Sequence, residues 1–125
     1  MSEGKGCFRV ALTAGTTTAG GDVLSLANPE GEDLIITRAG INVTTPATGA
    51  ATLDVGVAAA ATTTSDTLLD GIDVGTAAAI FDNIDDQGSN GQSIVLWPSD
   101  EFVTATPSAT CAGLVGYMYI EYYRV

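Results

Sequence analysis

Short runs in which apolar residues fall at every second position recur along this chain, and no stretch holds them at helical spacing for three turns. Cys7 to Thr13 sets Phe8, Val10 and Leu12 on one face and Arg9, Ala11 and Thr13 on the other, the pattern of a half-buried strand. Asp22 to Ala27, with Leu24 and Leu26, gives a second, and Asn28-Pro29-Glu30-Gly31 is a turn in which Pro presets one backbone angle. Leu34 to Thr44 is the longest run. Ile35, Thr37, Ala39, Ile41 and Val43 share one face and Leu34, Ile36, Arg38 and Asn42 the other, and apolar residues on both faces at its start predict a central strand. Past Pro46-Ala47-Thr48-Gly49, Thr52 to Val57 resumes the alternation, so the two runs are expected to pair as an antiparallel hairpin. The pattern weakens over 58–75, read as loop with a helical turn at Asp66 to Asp70. It returns at Ala77 to Phe81, Ser93 to Trp97, Glu101 to Thr106 and Gly113 to Arg124. Strands recurring between turns without helices predict an all-β chain, a single antiparallel β-sandwich of jelly-roll-like type over residues 7–125, preceded by a flexible arm at 1–6.

Composition agrees. Val, Leu, Ile and Phe supply 30 of 125 residues, enough for one core, while abundant Ala, Thr and Gly argue against a helical bundle. Four basic residues stand against fifteen acidic ones, a formal net charge of -11, which removes nucleic acid as a general partner because phosphate binding needs Lys and Arg. The absence of histidine removes the usual general base and the commonest metal ligand, so the expectation is a chain that is not an enzyme. No G-x-S-x-G motif is present, and a Ser-Lys dyad would depend on Lys5 alone. No apolar run is long enough to span a bilayer and the opening residues lack a signal-peptide layout, so no membrane contact is expected and synthesis is placed in a cytoplasm.

Several clusters invite a chemical reading. Cys7 and Cys111 are read as two buried thiols rather than a clamp between terminal strands. The loop from Asp82 to Gly91 carries the oxygen donors that Ca²⁺ prefers, yet Ile84 falls where a ligand is needed and Ser93 stands in place of the bidentate Glu. It is read as a solvated loop, with no metal and no cofactor assigned. Asp66, Asp70 and Asp73 are read as surface acids. Of the C-terminal rings, Tyr117 and Tyr119 are assigned to the core or its rim. Tyr122 and Tyr123, together with the scarce cations Arg9, Arg38 and Arg124, are the candidate contact residues.

In the segments Leu34-Ile35-Ile36-Thr37-Arg38, Val43 to Val57 and Phe81-Asp82-Asn83, and in the closing Gly116 to Tyr122, the chain resembles small structural proteins of tailed phages and prophages. The resemblance covers most of the chain and transfers no single site residue. It implies a noncatalytic virion subunit of capsid decoration or cement type, made in the host cytoplasm, bound to the major capsid protein and assembled as a homo-oligomer, with a trimer favoured. Two other roles follow from the residues: a filament subunit whose arm at Met1 to Gly6 adds a strand to the next copy, and a glycan-binding sandwich using the Asp66 and Asp82 loops with an exposed Trp97.

Overall fold

The computed structural model describes residues 4–13 and 21–125, in which the alternating runs become nine strands. They are β1 Lys5–Ala11, β2 Leu24–Ala27, β3 Leu34–Thr45, β4 Thr52–Ala58, β5 Leu69–Asp73, β6 Ala79–Asp82, β7 Val95–Trp97, β8 Phe102–Pro107 and β9 Val115–Arg124. Every pairing is antiparallel. The first sheet runs β1-β9-β3-β6, with β7 and β6 end to end along one edge of β3, against residues 34–36 and 40–43 respectively. The second runs β2-β8-β4-β5. The pairs nest: β1 with β9, β2 with β8, β3 with β6 and β7, β4 with β5. That nesting is a single antiparallel ribbon rolled up so that its pairs fall alternately in two sheets, the jelly-roll-like arrangement expected of the sandwich.

The inner faces carry the core. Phe8 and Val10 of β1, Met118, Ile120 and Tyr122 of β9, and Ile41 and Val43 of β3 face Leu24, Leu53, Val55, Leu69, Ile72 and Val103 of the second sheet. Burying a Val, Leu or Ile side chain contributes roughly 1.5–3 kcal/mol, so two continuous apolar faces are enough to hold the sheets together.

Four local expectations are corrected. Residues 34–44 and 52–57 do not form a hairpin, because β3 and β4 lie in opposite sheets. The connection is held as a crossover at the end of the core, where Ala47 N–H donates to Val74 O at 2.9 Å, Val74 N–H donates to Ala51 O at 3.0 Å, and Ala47 and Ala51 are buried. Asp66 to Asp70 is not a helical turn, for β5 begins at Leu69. There the register shifts at Leu53/Asp54, and Gly71 takes a left-handed conformation with φ 74°, its N–H donating to Asp54 Oδ1 at 2.9 Å. This bulge lets Leu69 and Ile72, three apart, both point inward. In β3 a second bulge between Ile36 and Arg38 reverses the alternation, so Leu34 and Ile36 share the inner face with Ala39, Ile41 and Val43. Finally, β1 starts at Lys5, so Lys5 and Gly6, expected in the arm, pair with Tyr123 and Tyr122. The rest of that arm up to Glu3, and most of the loop read at Gly15 to Gly21, lie outside the described residues.

The two outer faces differ. That of the second sheet is roofed by residues 59–67: Ser25 Oγ donates to Ala61 O at 2.7 Å, Thr104 Oγ1 to Thr63 O at 2.9 Å, and Val57 N–H to Thr67 Oγ1 at 3.0 Å. Thr104 points away from the core yet is fully buried for this reason. Among the described residues, no comparable segment crosses the outer face of the first sheet.

Candidate interaction surface

Period-two geometry and the register of the first sheet place its outward residues in four rows across the strands. One runs Lys5, Tyr123, Ile35, Leu96; the next, Cys7, Glu121, Arg38; the third, Arg9, Tyr119, Gly40, Asp82; the fourth, Ala11, Tyr117, Asn42, Ile80. Large apolar side chains stand in water here, with Ile80 77%, Leu96 53%, Tyr123 45% and Tyr119 43% exposed. Gly40 has no side chain in the middle of the third row. The result is a depression of about 520 Å³ bordered by Arg9, Arg38, Ile80 and Tyr119.

The face also gathers most of the scarce cations. Three of the four basic residues lie on it, against two of the fourteen acids among the described residues. Lys5 Nζ is 3.3 Å from Glu121 Oε2 and lies 5.9 Å from the Tyr123 ring centroid, while Arg38 Nη2 donates to Asp82 Oδ2 at 2.9 Å. Arg9 is stacked over Tyr117 at 4.5 Å, and makes no ion pair among the described residues. Ion pairs beside exposed rings give this face the mixed aromatic and polar make-up found where proteins meet.

The candidate contact residues are thus divided. Arg9, Arg38 and Tyr123 lie on this face. Tyr122 does not, being buried at 5% exposure, because it shares the inward parity of Met118 and Ile120; its ring packs on Phe8 at 6.1 Å and its hydroxyl donates to Glu30. Arg124 sits at the end of β9, with Nη2 donating to the same Glu30 carboxylate at 2.8 Å and Nη1 to Lys5 O at 3.2 Å. Tyr119, assigned above to the core or its rim, points outward instead, and Tyr117 is half-buried beneath Arg9. Tyr119, Gly40, Ile80 and Leu96 are not singled out by the sequence as contact residues, since nothing in a single run says which sheet face stays bare.

The Glu30 cluster ties the turn at Asn28 to Gly31 onto β9. Asn28 Oδ1 accepts from Glu30 N–H at 3.0 Å and Gly31 N–H at 3.1 Å, which shapes the turn. Hydrogen bonds from Arg124 and then Tyr122 hold the Glu30 carboxyl below its ordinary range, while burial and then Glu30 push the Tyr122 phenol up. A lowered carboxyl pKa contributes stability that is complete above the ordinary value of 4.5 and is lost as pH falls through the folded value. Glu30→Gln therefore lowers the melting temperature at pH 7, and the gap to the parent closes as pH drops below 4.5 and on through the lowered value. A gap that stays constant in thermal melts from neutral pH down to about pH 2.5 would remove this account.

The loop after β6 is stapled by its own polar groups. Asp82 Oδ1 accepts from Ile84 and Asp85 N–H at 2.8 and 2.9 Å, and Asp86 Oδ2 from Asp82 N–H at 3.0 Å. The Asp85 and Ile84 backbone donors, then Arg38, lower the Asp82 pKa. Asn83 is fully buried; its Oδ1 accepts from Ala39 N–H at 2.9 Å and its Nδ2 donates to Gln92 O and Ser93 O at 3.0 Å each. Asp66 and Asp70 accept from Asn90, through its side-chain and backbone N–H respectively. Asp54 has its pKa raised, first by burial and further by Asp70 and Asp66. Among the described residues, no three His, Cys, Asp or Glu side chains are grouped to hold a metal ion.

Cys7 is exposed on the bare face, contrary to its reading as a buried thiol, because it has the outward parity of β1; Cys111 is buried in the core, as expected. Trp97, which a glycan-binding role would expose, is fully buried with Nε1 donating to Glu101 O at 3.1 Å.

This fold is similar to one found in a phage capsid. A chain of the acidic stable capsid structure of Helicobacter pylori bacteriophage KHP30 superposes with a TM-score of 0.50 over 98% of this chain and 90% of that one. Sequence identity is 13%, so the likeness is one of fold. No family model matches the chain, and no curated protein matches it. No helix among the described residues is long and apolar enough to cross a membrane.

Proposed function

We propose that this chain is a noncatalytic structural subunit of a phage particle, a decoration or cement protein that binds the outer shell built from the major capsid protein and stabilises it. The observation that carries this reading is the kind of surface the fold builds: a bare sheet face with exposed rings and paired ions, suited to another protein surface. The likeness in fold to a chain of a phage capsid, extending over nearly the whole of both chains, supports the same reading. A homo-oligomeric coat suits such a subunit, because a modest interface repeated between neighbours and shell becomes tight through multivalency. The net charge of -11 keeps an outward surface soluble and away from nucleic acid, and no membrane partner is invoked.

Quantitative mass spectrometry of purified particles tests the role. A content on the order of one copy per shell protein, with particles lacking the chain losing resistance to heat, is the expected result. Absence of the chain from every particle fraction would overturn it.

A further inference from the structure

We propose that the outer face of the first sheet is closed by a second copy of this chain, related by a two-fold axis that runs along the strands midway between β9 and β3. This rests on the reading above and deepens it by naming the partner of the bare face.

An isologous contact requires one patch to complement itself, residue i meeting j while j meets i. In the strand order β1-β9-β3-β6, such an axis exchanges β9 with β3 and β1 with β6 and β7. Each row then meets its own reverse. In the third row, Arg9 of one copy comes over Asp82 of the other, and Tyr119 over the notch at Gly40. In the second, Glu121 comes over Arg38. In the first, Tyr123 meets Ile35, and Leu96 meets the aliphatic stem of Lys5; in the fourth, Ile80 meets Ala11. Opposite charges face each other, and a protruding ring faces a missing side chain. Packing two sheets face to face in an aligned orientation is an ordinary arrangement for twisted sheets.

The charge distribution favours a second copy here over any other approach between copies. Apart from this face, the described residues carry Arg124 as their one cation against twelve acids, so contacts through other surfaces set carboxylates against carboxylates. On this face, Arg9 lacks an ion pair among the described residues, and the pairing supplies Asp82. The register points to a two-fold pair in place of the trimer that the resemblance implies.

A charge-swap experiment on the purified chain tests the geometry. By sedimentation velocity, the parent chain is expected to dimerise at micromolar concentration. Glu121→Arg sets arginine against arginine at both symmetric contacts, Arg38→Glu sets glutamate against glutamate, and each is expected to weaken self-association by about tenfold or more. Mixed in equal amounts, the two variants are complementary again: the arginine introduced at position 121 of one faces the glutamate introduced at position 38 of the other, and the unaltered Arg38 faces the unaltered Glu121. The mixture is therefore expected to recover the dimer. A parent that stays monomeric, a trimer mass, or a mixture that does not recover would each overturn the proposal. Tyr119→Ala, which leaves every ion pair in place, is expected to weaken the dimer too, and serves if either charge variant fails to fold by circular dichroism. None of these measurements involves particles, so failure of this pairing is distinguishable from failure of the virion role.

Discussion

Replacing Trp97 with alanine lowers the unfolding free energy by about 3–5 kcal/mol, the range for truncating a large buried aromatic. The ring is fully buried although its strand, β7, is three residues long, so this one side chain fixes β7 against β3. It packs on Phe8 at 6.5 Å, and Phe8 in turn packs on Tyr122 at 6.1 Å, so three strands meet at one aromatic cluster. Asn28 Nδ2 donates to Trp97 O at 3.1 Å, which adds the turn before β3. Truncation leaves a cavity beneath three strands and removes one of the two hydrogen bonds to the Glu101 carbonyl, which keeps the one from Asn28 N–H. Urea denaturation checks this: the midpoint should fall with the slope unchanged. A loss under about 1 kcal/mol would mean that the cluster is not the pin it is taken to be.

Asn83→Leu is the second large effect, on the order of 2 kcal/mol, since the buried Ala39 N–H loses its partner at about 1–3 kcal/mol, while the carbonyls of the exposed Gln92 and Ser93 can turn to water. The side chain is nearly isosteric with its replacement, so the loss reports polar pairing and not volume. Asn83 bridges β3 at Ala39 to the strand-free segment at Gln92 and Ser93, while its own N–H donates to Ala39 O at 3.0 Å. Hydrogen exchange of the Ala39 and Asn83 amides should accelerate first in the variant, ahead of global unfolding. Uniform acceleration across both sheets would show instead that the loop has no separate anchoring role.

How far the sequence can be read follows from where its alternation is interrupted. Phe8, Val10 and Leu12 follow an unbroken period of two, and their shared inward face is legible from that alone. β3 reads as a central strand and is one, but periodicity puts Leu34 and Ile36 opposite Ala39, Ile41 and Val43, because the bulge near Thr37 adds one residue that a simple count cannot see. β5 escapes the same count: Leu69 and Ile72 are three apart only because Gly71 takes a left-handed conformation between them. Tyr117 to Tyr122 carries bulky apolar residues at both parities, so the inward set is decided by what Met118 and Ile120 face across the sandwich and not by the strand itself. The bare face is illegible for a related reason. The roof over the other sheet is mostly Ala and Thr without pattern, and that no described residues cover the first sheet in the same way is a property of the assembled fold.

The rolled ribbon also dictates the order in which the molecule can be made. Phe8 is paired with Ile120, and Lys5 with Tyr123, so the earliest strand waits for the last one before it has a neighbour. Until β9 is available, β3 lacks its longest partner as well, and the first sheet exists only as β3 with its short edge strands. Such a layout confines nucleation to the middle of the chain, around β4 and β5, and makes completion a long-range closure on the millisecond-to-second scale typical of sandwiches. During that interval, the inner side of β1 is an apolar strand without a sheet, and a crowded cell full of nascent copies is where mispairing between chains would begin.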